Sequence, residues 1–344
     1  MNARTLKRRA RSVTLGSLTS LFMLVCVCAF ARAQAAVGGA QSSAPRMSVL
    51  FTAMDRGGKF VTDLKPEDVR LTVDGAPREI LELKRQSELP LFVAIVIDTS
   101  NSQEYVLPRA KLAADVFVRG MLAQQDKAAV VTFTGETTLE QAMTDDVAKI
   151  REAIARVKFE PPPGYVGGVL VAGPPSGGGS RAGSTAIWDA VYLVSDEVLS
   201  RSLGTGRRAM LLVTDGTDTS SRLKMDDAVA SALQSEAVIY VLGVGDEKNF
   251  DGVEKGPMRK LAQRTGGRAF FPKRVDEITA IFTRISEELL SQYVVTFAAP
   301  SPARDGSFHK VKLEVLNRGS RAQGVELAYP QGFYAGNAPT TVKK

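Results

Sequence analysis

Three stretches of the chain place oxygen-bearing side chains directly beside apolar runs. Residues 91–97 read LFVAIVI, and the next five, DTSNS, supply Asp98, Ser100 and Ser102. Residues 209–214 read AMLLVT and lead into DGTD, which supplies Asp215 and Asp218. A third stretch, GSTAIWDAV, puts Thr185 at the start of a helical pattern. Two carboxylates and three hydroxyls make a set of hard oxygen donors without imidazole or thiolate. Such a set suits Mg²⁺, Mn²⁺ or Ca²⁺ and disfavours zinc. With few negative charges among several neutral hydroxyls, a bound cation would stay electropositive and open to an outside anion. Asp218 reads as a turn residue, or one standing behind the ligands. On residue types alone, DTSNS could equally be a strand end followed by hydroxyl-capped turns.

Elements able to position these residues follow from the pattern. The runs LFVAIVI, KAAVVTF (127–133), AMLLVT and VIYVLGVG (238–245) are continuously apolar, as strands covered on both faces are. Between them lie helical patterns at 108–122, 145–157, 185–199, 224–236, 258–266 and 277–292, with a short strand at 268–272. Strands alternating with helices imply an α/β fold with a doubly wound, mostly parallel sheet, whose ligands sit at the carboxyl ends of the strands. Residues 47–89 and 292–335 instead alternate in period two. The strand-rich first segment cannot bury both faces alone, so the two are expected to pack together as a β-sandwich around the α/β domain at 90–291. Asp74-Gly75 is a turn signal, and ARDGS (303–307) reads as a hairpin turn.

Residues 1–35 have the form of a secretory leader. RTLKRRARS is basic, VTLGSLTSLFMLVCVCAF is apolar, and ARAQA offers small residues for cleavage after Ala33 or Ala35. A retained membrane anchor is the alternative, since the apolar run approaches the ~18–20 residues a span needs. The leader holds Arg4, Lys7, Arg8, Arg9, Arg11, Arg32 and no acid, so the +7 of the whole chain falls to about +1 without it. The basic balance therefore gives no support to nucleic-acid binding. Both cysteines, Cys26 and Cys28, leave with the leader, and His309 is the sole histidine. The mature chain then has no disulfide or thiolate chemistry, and a Ser-His-Asp triad would depend on one residue far from the strand ends.

DTSNS resembles the Asp-x-Ser-x-Ser start of the metal-ion-dependent adhesion site in von Willebrand factor type A domains. Thr185 in GSTAIWDAV and Asp215 in LLVTDG match the family's remaining site positions. The flanks, DLKPEDVRLTVDG before the domain and SQYVVTF, RDGSFHKVKLEV and GFYA after it, resemble those of a bacterial subfamily related to that domain. The resemblance implies that Ser100, Ser102 and Thr185 reach a divalent cation directly or through water, most readily Mg²⁺. Asp98 and Asp215 would hold it partly through waters and orient the serines. It further implies that a free coordination position accepts an Asp or Glu carboxylate from a partner protein. An exported, non-catalytic binding module in the periplasm or exterior is expected, with no membrane span once the leader is cleaved.

One departure is the Pro/Gly-rich insert 160–184, EPPPGYVGGVLVAGPPSGGGSRAGS, longer than the family pattern calls for. Its end, GGSRAGST, also fits a phosphate-binding loop at both glycines and the threonine, but Ser184 stands where that loop needs lysine. The glycines before Thr185 are expected to let that threonine move toward or away from a cation. A Mg²⁺-dependent phosphohydrolase of the haloacid-dehalogenase type would need a second acid two residues after Asp98, where Ser100 stands. A third alternative is a purely structural domain of the same family, whose metal only braces the strand ends.

Overall fold

A computed structural model describes residues 46–86, 89–159, 165–166, 169–170, 184–202, 206–245, 253–299, 306–316 and 324–335. The leader and nearly all of the insert lie outside the described residues. The chain opens with β1 (Arg46–Met54), β2 (Val69–Val73), β3 (Ala76–Arg78) and β4 (Ile80–Arg85). It then builds β5 (Leu91–Asp98), α1 (Leu107–Met121), β6 (Lys127–Phe133), β7 (Thr137–Thr144) and α2 (Val147–Arg156). Two short strands, β8 (Tyr165–Val166) and β9 (Val169–Leu170), pair within the insert. The α/β part continues with α3 (Ile187–Leu193), β10 (Arg207–Thr214), α4 (Met225–Gln234), β11 (Ala237–Gly243), α5 (Lys255–Arg264), β12 (Ala269–Phe270) and α6 (Val275–Leu290). Four strands close the chain: β13 (Tyr293–Ala298), β14 (Phe308–Val315), β15 (Glu326–Ala328) and β16 (Gly332–Tyr334).

The central sheet runs β12-β11-β10-β5-β6-β7, parallel except for β7. Alternate residues of β5 explain its continuous apolar run. Leu91, Val93, Ile95 and Ile97 face one layer with α1, α2 and α6. Ala94 and Val96 face the opposite layer with α3, α4 and α5. Strand β7 escaped the sequence reading because TTLEQAMT is only half-buried and lies at the sheet edge, where no apolar run is required. Helix α3 passes into a π-turn at Val194–Leu199, closed by a 3.0 Å bond from Ser200 N to Ser195 O.

The flanking strands form two four-stranded antiparallel sheets, β15-β1-β13-β4 and β16-β14-β2-β3. Their facing residues share one core that includes Phe51, Leu71, Val73, Tyr293, Phe297, Val311, Leu313 and Phe333. This is the sandwich expected from the two strand-rich flanks. The expected hairpin turn at 303–307 lies mostly outside the described residues, but the strands on either side of it, β13 and β14, belong to different sheets and do not pair as a hairpin. The Asp74-Gly75 turn does make a hairpin, β2–β3, with both residues at positive φ (52° and 80°).

Both crossings between sandwich and α/β part converge at the amino end of β5. Arg207, 5% exposed, donates from Nε and Nη2 to Leu89 O at 3.1 and 3.0 Å, and from Nη1 to Leu289 O at 2.6 Å. Asp126 accepts from Leu91 N at 2.8 Å and from Ala123 N at 2.9 Å. Gln86 N donates to Gln292 O at 3.0 Å. One buried guanidinium thus ties the segment entering the α/β part to the helix leaving it.

Candidate metal centre

At the opposite, carboxyl edge of the same sheet, β5 ends on Asp98. The parallel register sets Ile97 beside Val213, so Asp98 stands next to Thr214, the last residue of β10. Thr214 Oγ1 donates to Asp98 Oδ2 at 2.6 Å, and Ser100 N donates to Oδ1 at 2.9 Å. Ser100 Oγ lies 3.2 Å from Ser102 Oγ, the first buried and the second exposed. The loop is folded back by Thr99, whose N and Oγ1 donate to Phe133 O at 2.9 and 3.1 Å. The three β5-loop residues therefore present a buried carboxylate below two hydroxyls that grade outward to solvent.

Asp98 is fully buried. Burial, and after it the negative charge of Asp215, push its carboxyl up to about 7, against the bonds from Thr214 and Ser100. No Lys, Arg or His among the described residues pairs with Asp98 or Asp215. Asp215 is itself buried, and its Oδ1 accepts from Thr217 N at 3.1 Å. The turn after it requires Gly216: at φ +87° an added Cβ would come within 2.7 Å of the buried Met258 side chain.

Thr185, also buried, is tied into the same edge through its backbone. Its N donates to Thr219 Oγ1 at 2.9 Å, and its O accepts from Thr219 N and Ser220 N at 2.8 and 3.0 Å. Ala186 N donates to Thr134 O, just past the end of β6, at 2.8 Å. Its main chain is thus held on both sides, while the glycines expected to give it freedom lie outside the described residues. Asp218 Oδ1 accepts from Ile187 N at 2.8 Å and from Ser221 Oγ at 2.5 Å, capping the helix that Thr185 precedes. Ser221 Oγ accepts from Trp188 N at 3.0 Å, while Asp189 Oδ1 accepts from Arg222 N and Leu223 N at 2.9 and 2.8 Å.

Sequence reasoning missed this latch of Thr219, Ser221 and Asp189, and it missed Thr214. The hydroxyl run in TDGTDTSSR was the available signal for it. It also missed Gln103, whose side chain is wholly buried beside the serines with Nε2 and Oε1 unpartnered. His309 sits apart from this edge. Its Nδ1 is 2.6 Å from Asp74 Oδ2, and its Nε2 is 3.0 Å from Ser307 Oγ. Those three residues have the connectivity of a triad, but the amides of Gly306 and Ala335 beside the serine are spent on Ala335 O and Ser307 O. Asp74 Oδ1 also accepts from Lys310 N at 2.9 Å, so the relay pins the β2–β3 turn to β14.

The donor chemistry fits a divalent cation. Every candidate is oxygen, and two buried carboxylates lack a counter-charge that such an ion would supply. Among the described residues no three His, Cys, Asp or Glu side chains cluster, so the hydroxyls would have to complete any coordination.

The fold is a doubly wound α/β sheet with buried carboxylates and hydroxyls on adjoining carboxyl-end loops, the edge at which open α/β sheets carry their ligands. Residues 93–217 match the family model of the von Willebrand factor type A domain. No curated protein matches the sequence. Solved structures similar to this chain include an aerotolerance-related membrane protein from Bacteroides fragilis, at 21% identity over 58% of this chain and 98% of that one, with a TM-score of 0.44. A von Willebrand factor type A protein from Catenulispora acidiphila is 14% identical over 86% of this chain and 75% of its own, with a TM-score of 0.43. Proximal thread matrix protein 1 from the mussel byssus, solved with a zinc-occupied MIDAS motif, is 20% identical over 62% of this chain and 48% of its own, with a TM-score of 0.41. Among the described residues no helix is long and apolar enough to cross a membrane.

Proposed function

We propose that the chain is an exported protein-binding module that captures an acidic side chain of a partner through a divalent cation, most readily Mg²⁺. Asp98, Ser100, Ser102, Thr185 and Asp215 would hold the ion. Asp218 would act from behind, by fixing the start of the helix after Thr185. The observation that carries this reading is the pair of buried, uncompensated carboxylates: Asp98 is pushed up to about 7 by burial and by Asp215. An isolated buried carboxylate is costly, and a site built to leave one unpaired is built for a cation from outside.

When bound, the cation would supply a Lewis-acidic position for an incoming Asp or Glu. The chain's own residues do the rest. Thr214 and the Ser100 amide fix both oxygens of Asp98. Ser100 and Ser102 present neutral donors toward solvent, which leaves the positive charge less than fully neutralised and favours an anionic guest. The latch from residues 215–223 holds Thr185 in place. We read this edge as a binding site rather than a catalytic one, in keeping with the match to the von Willebrand factor type A domain.

The test is capture from the native organism's extract with Mg²⁺ or with EDTA, using wild type and Asp98→Ala. Partners held by wild type with Mg²⁺ and lost in both other arms are expected. Partners kept under EDTA would count against a metal bridge. Mg²⁺ binding by calorimetry without any metal-dependent partner would reduce the ion to a structural brace.

A further inference from the structure

A second charged site lies away from the strand-end edge, where α5 and the start of β12 face strands of the sandwich. This cleft, about 700 Å³, is walled by Arg259, Arg268, Arg284, Lys310 and Lys312, with Glu326 as its one acidic wall residue. Its basic character follows from the strand period. Val311 and Leu313 of β14 point into the sandwich core, so Lys310 and Lys312 must stand on the opposite face, toward the cleft.

The cations are unequally used. Arg268 is spent on the buried Glu288, at 3.1 and 3.2 Å from Nε, and on Glu326, at 2.6 Å from Nη1. Its Nη2 remains buried with no partner. Lys312 pairs with Glu314 at 2.7 Å. Arg259 meets no carboxylate among the described residues, its guanidinium lying 5.1 Å over the Phe271 ring. Arg284 acts on the buried Glu288, one helical turn away, and sets its Nη2 3.0 Å from Met54 Sδ, whereas the Lys310 ammonium has no acid partner among the described residues. Two cations, Arg259 and Lys310, therefore border one concavity without an acid partner among the described residues.

The backbone around the cleft narrows the guest. Strand β12 is the outermost strand of the central sheet and β15 the outermost strand of a sandwich sheet, and both line the cleft. An outermost strand keeps one row of amides and carbonyls for pairing with an incoming extended chain. In such a chain alternate side chains share a face, so acids at every second position would meet the cations together. We infer that this cleft binds an extended acidic peptide segment of another protein, by strand pairing at an open edge and by carboxylate pairing to Arg259 and Lys310. The inference is independent of the metal-bridged reading, because no residue is shared.

The test titrates a fluorescent, blocked octapeptide of alternating Val and Glu into the full chain by anisotropy, with EDTA throughout to silence any metal bridge. Saturable binding is expected. Three weakened arms are expected as well: at least tenfold with a Gln-for-Glu peptide, at least tenfold with a Glu peptide N-methylated at alternate amides, and at least thirtyfold for Arg259→Glu/Lys310→Glu. Lys310→Glu alone, at an exposed position, is expected to weaken binding about tenfold, and it keeps the test open should the double variant misfold. No binding, equal binding of the Gln peptide, or unchanged affinity in folded variants would overturn the proposal. Equal binding of the N-methylated peptide would overturn strand pairing. Displacement by a ten-nucleotide oligothymidylate at lower concentration than by unlabelled peptide would assign the cleft to nucleic acid instead.

Discussion

The two ends of the central sheet treat buried charge in opposite ways. At the amino end, Arg207 spends its guanidinium on Leu89 O and Leu289 O, and Asp126 spends both oxygens on Leu91 N and Ala123 N. Burial lowers the Arg207 pKa while the charge of Asp126 pulls it back up, so cation and anion steady each other. At the carboxyl end, burial and the charge of Asp215 make an ionised Asp98 costly, and no cationic side chain among the described residues answers it. Polar groups that hold a fold together are satisfied within it, whereas groups kept for a ligand are left incomplete.

Breaking the satisfied end is expected to cost most. Arg207→Ala removes three hydrogen bonds from a 5%-exposed residue and leaves the Leu89 and Leu289 carbonyls without that donor. A loss of about 3–5 kcal/mol is expected. Because the tie joins the sandwich crossings rather than the metal-centre edge, chemical denaturation should show the same loss in EDTA and in Mg²⁺. A loss that Mg²⁺ restores would mean the two ends are not separable.

The unsatisfied end should respond to metal in the opposite sense. Mg²⁺ at a hundred times its Kd stabilises a folded protein by about 2.7 kcal/mol, which for a chain of this size raises Tm by roughly 4 °C. Asp98→Asn should abolish that shift. In EDTA the same variant should be no less stable than wild type, because it removes a buried charge and keeps the shape. Differential scanning calorimetry with and without Mg²⁺ reads both outcomes. A marked loss of stability for the variant in EDTA would show that Asp98 is needed as a charge by the fold itself.

A smaller effect follows from protons competing with the cation. The folded carboxyl of Asp98 is raised above its unfolded value, so the metal-free protein binds an extra proton between about pH 4 and 7. In that window this group's contribution makes the metal-free fold more stable as pH falls from 7 toward 4. Mg²⁺ must displace that proton, so its affinity should weaken about tenfold between pH 8 and pH 6. Calorimetric titration at the two pH values measures this. Affinity independent of pH would place Asp98 outside the coordination sphere.

How much of this was legible in the sequence differs between the same two ends. Asp98, Ser100 and Asp215 follow unbroken apolar runs, so strand and loop could be read together, and the doubly wound sheet with them. The Arg207 tie was not legible, because one arginine reaches Leu89 and Leu289 at sequence separations of 118 and 82 residues. The same limit hid the latch of Thr219, Ser221 and Asp189, which joins segments more than thirty residues apart. The pairing of β13 with β14 expected from the turn signal at 303–307 was misread because such a signal does not say which sheet receives the next strand. Strand β16 went unread as a three-residue edge, although GFY packs Phe333 into the sandwich core.

The smallest expected effect sharpens where the unsatisfied end begins. Asp218 lies three residues beyond Asp215, yet its Oδ1 is already occupied by Ile187 N and Ser221 Oγ. It therefore belongs with the satisfied groups, although it shares a loop with an unsatisfied one. Asp218→Ala should cost about 1 kcal/mol, the worth of a helix-capping carboxylate, visible in denaturation with EDTA. It should weaken Mg²⁺ by no more than a few-fold, through the position of Thr185, whereas Asp215→Ala should abolish Mg²⁺ binding. Asp218→Asn keeps an acceptor for Ile187 N and should recover most of both losses. If Asp218→Ala removes Mg²⁺ binding outright and Asp218→Asn does not restore it, its charge rather than its hydrogen bond is what the site uses. The boundary between fold and site would then run behind Asp218 instead of in front of it.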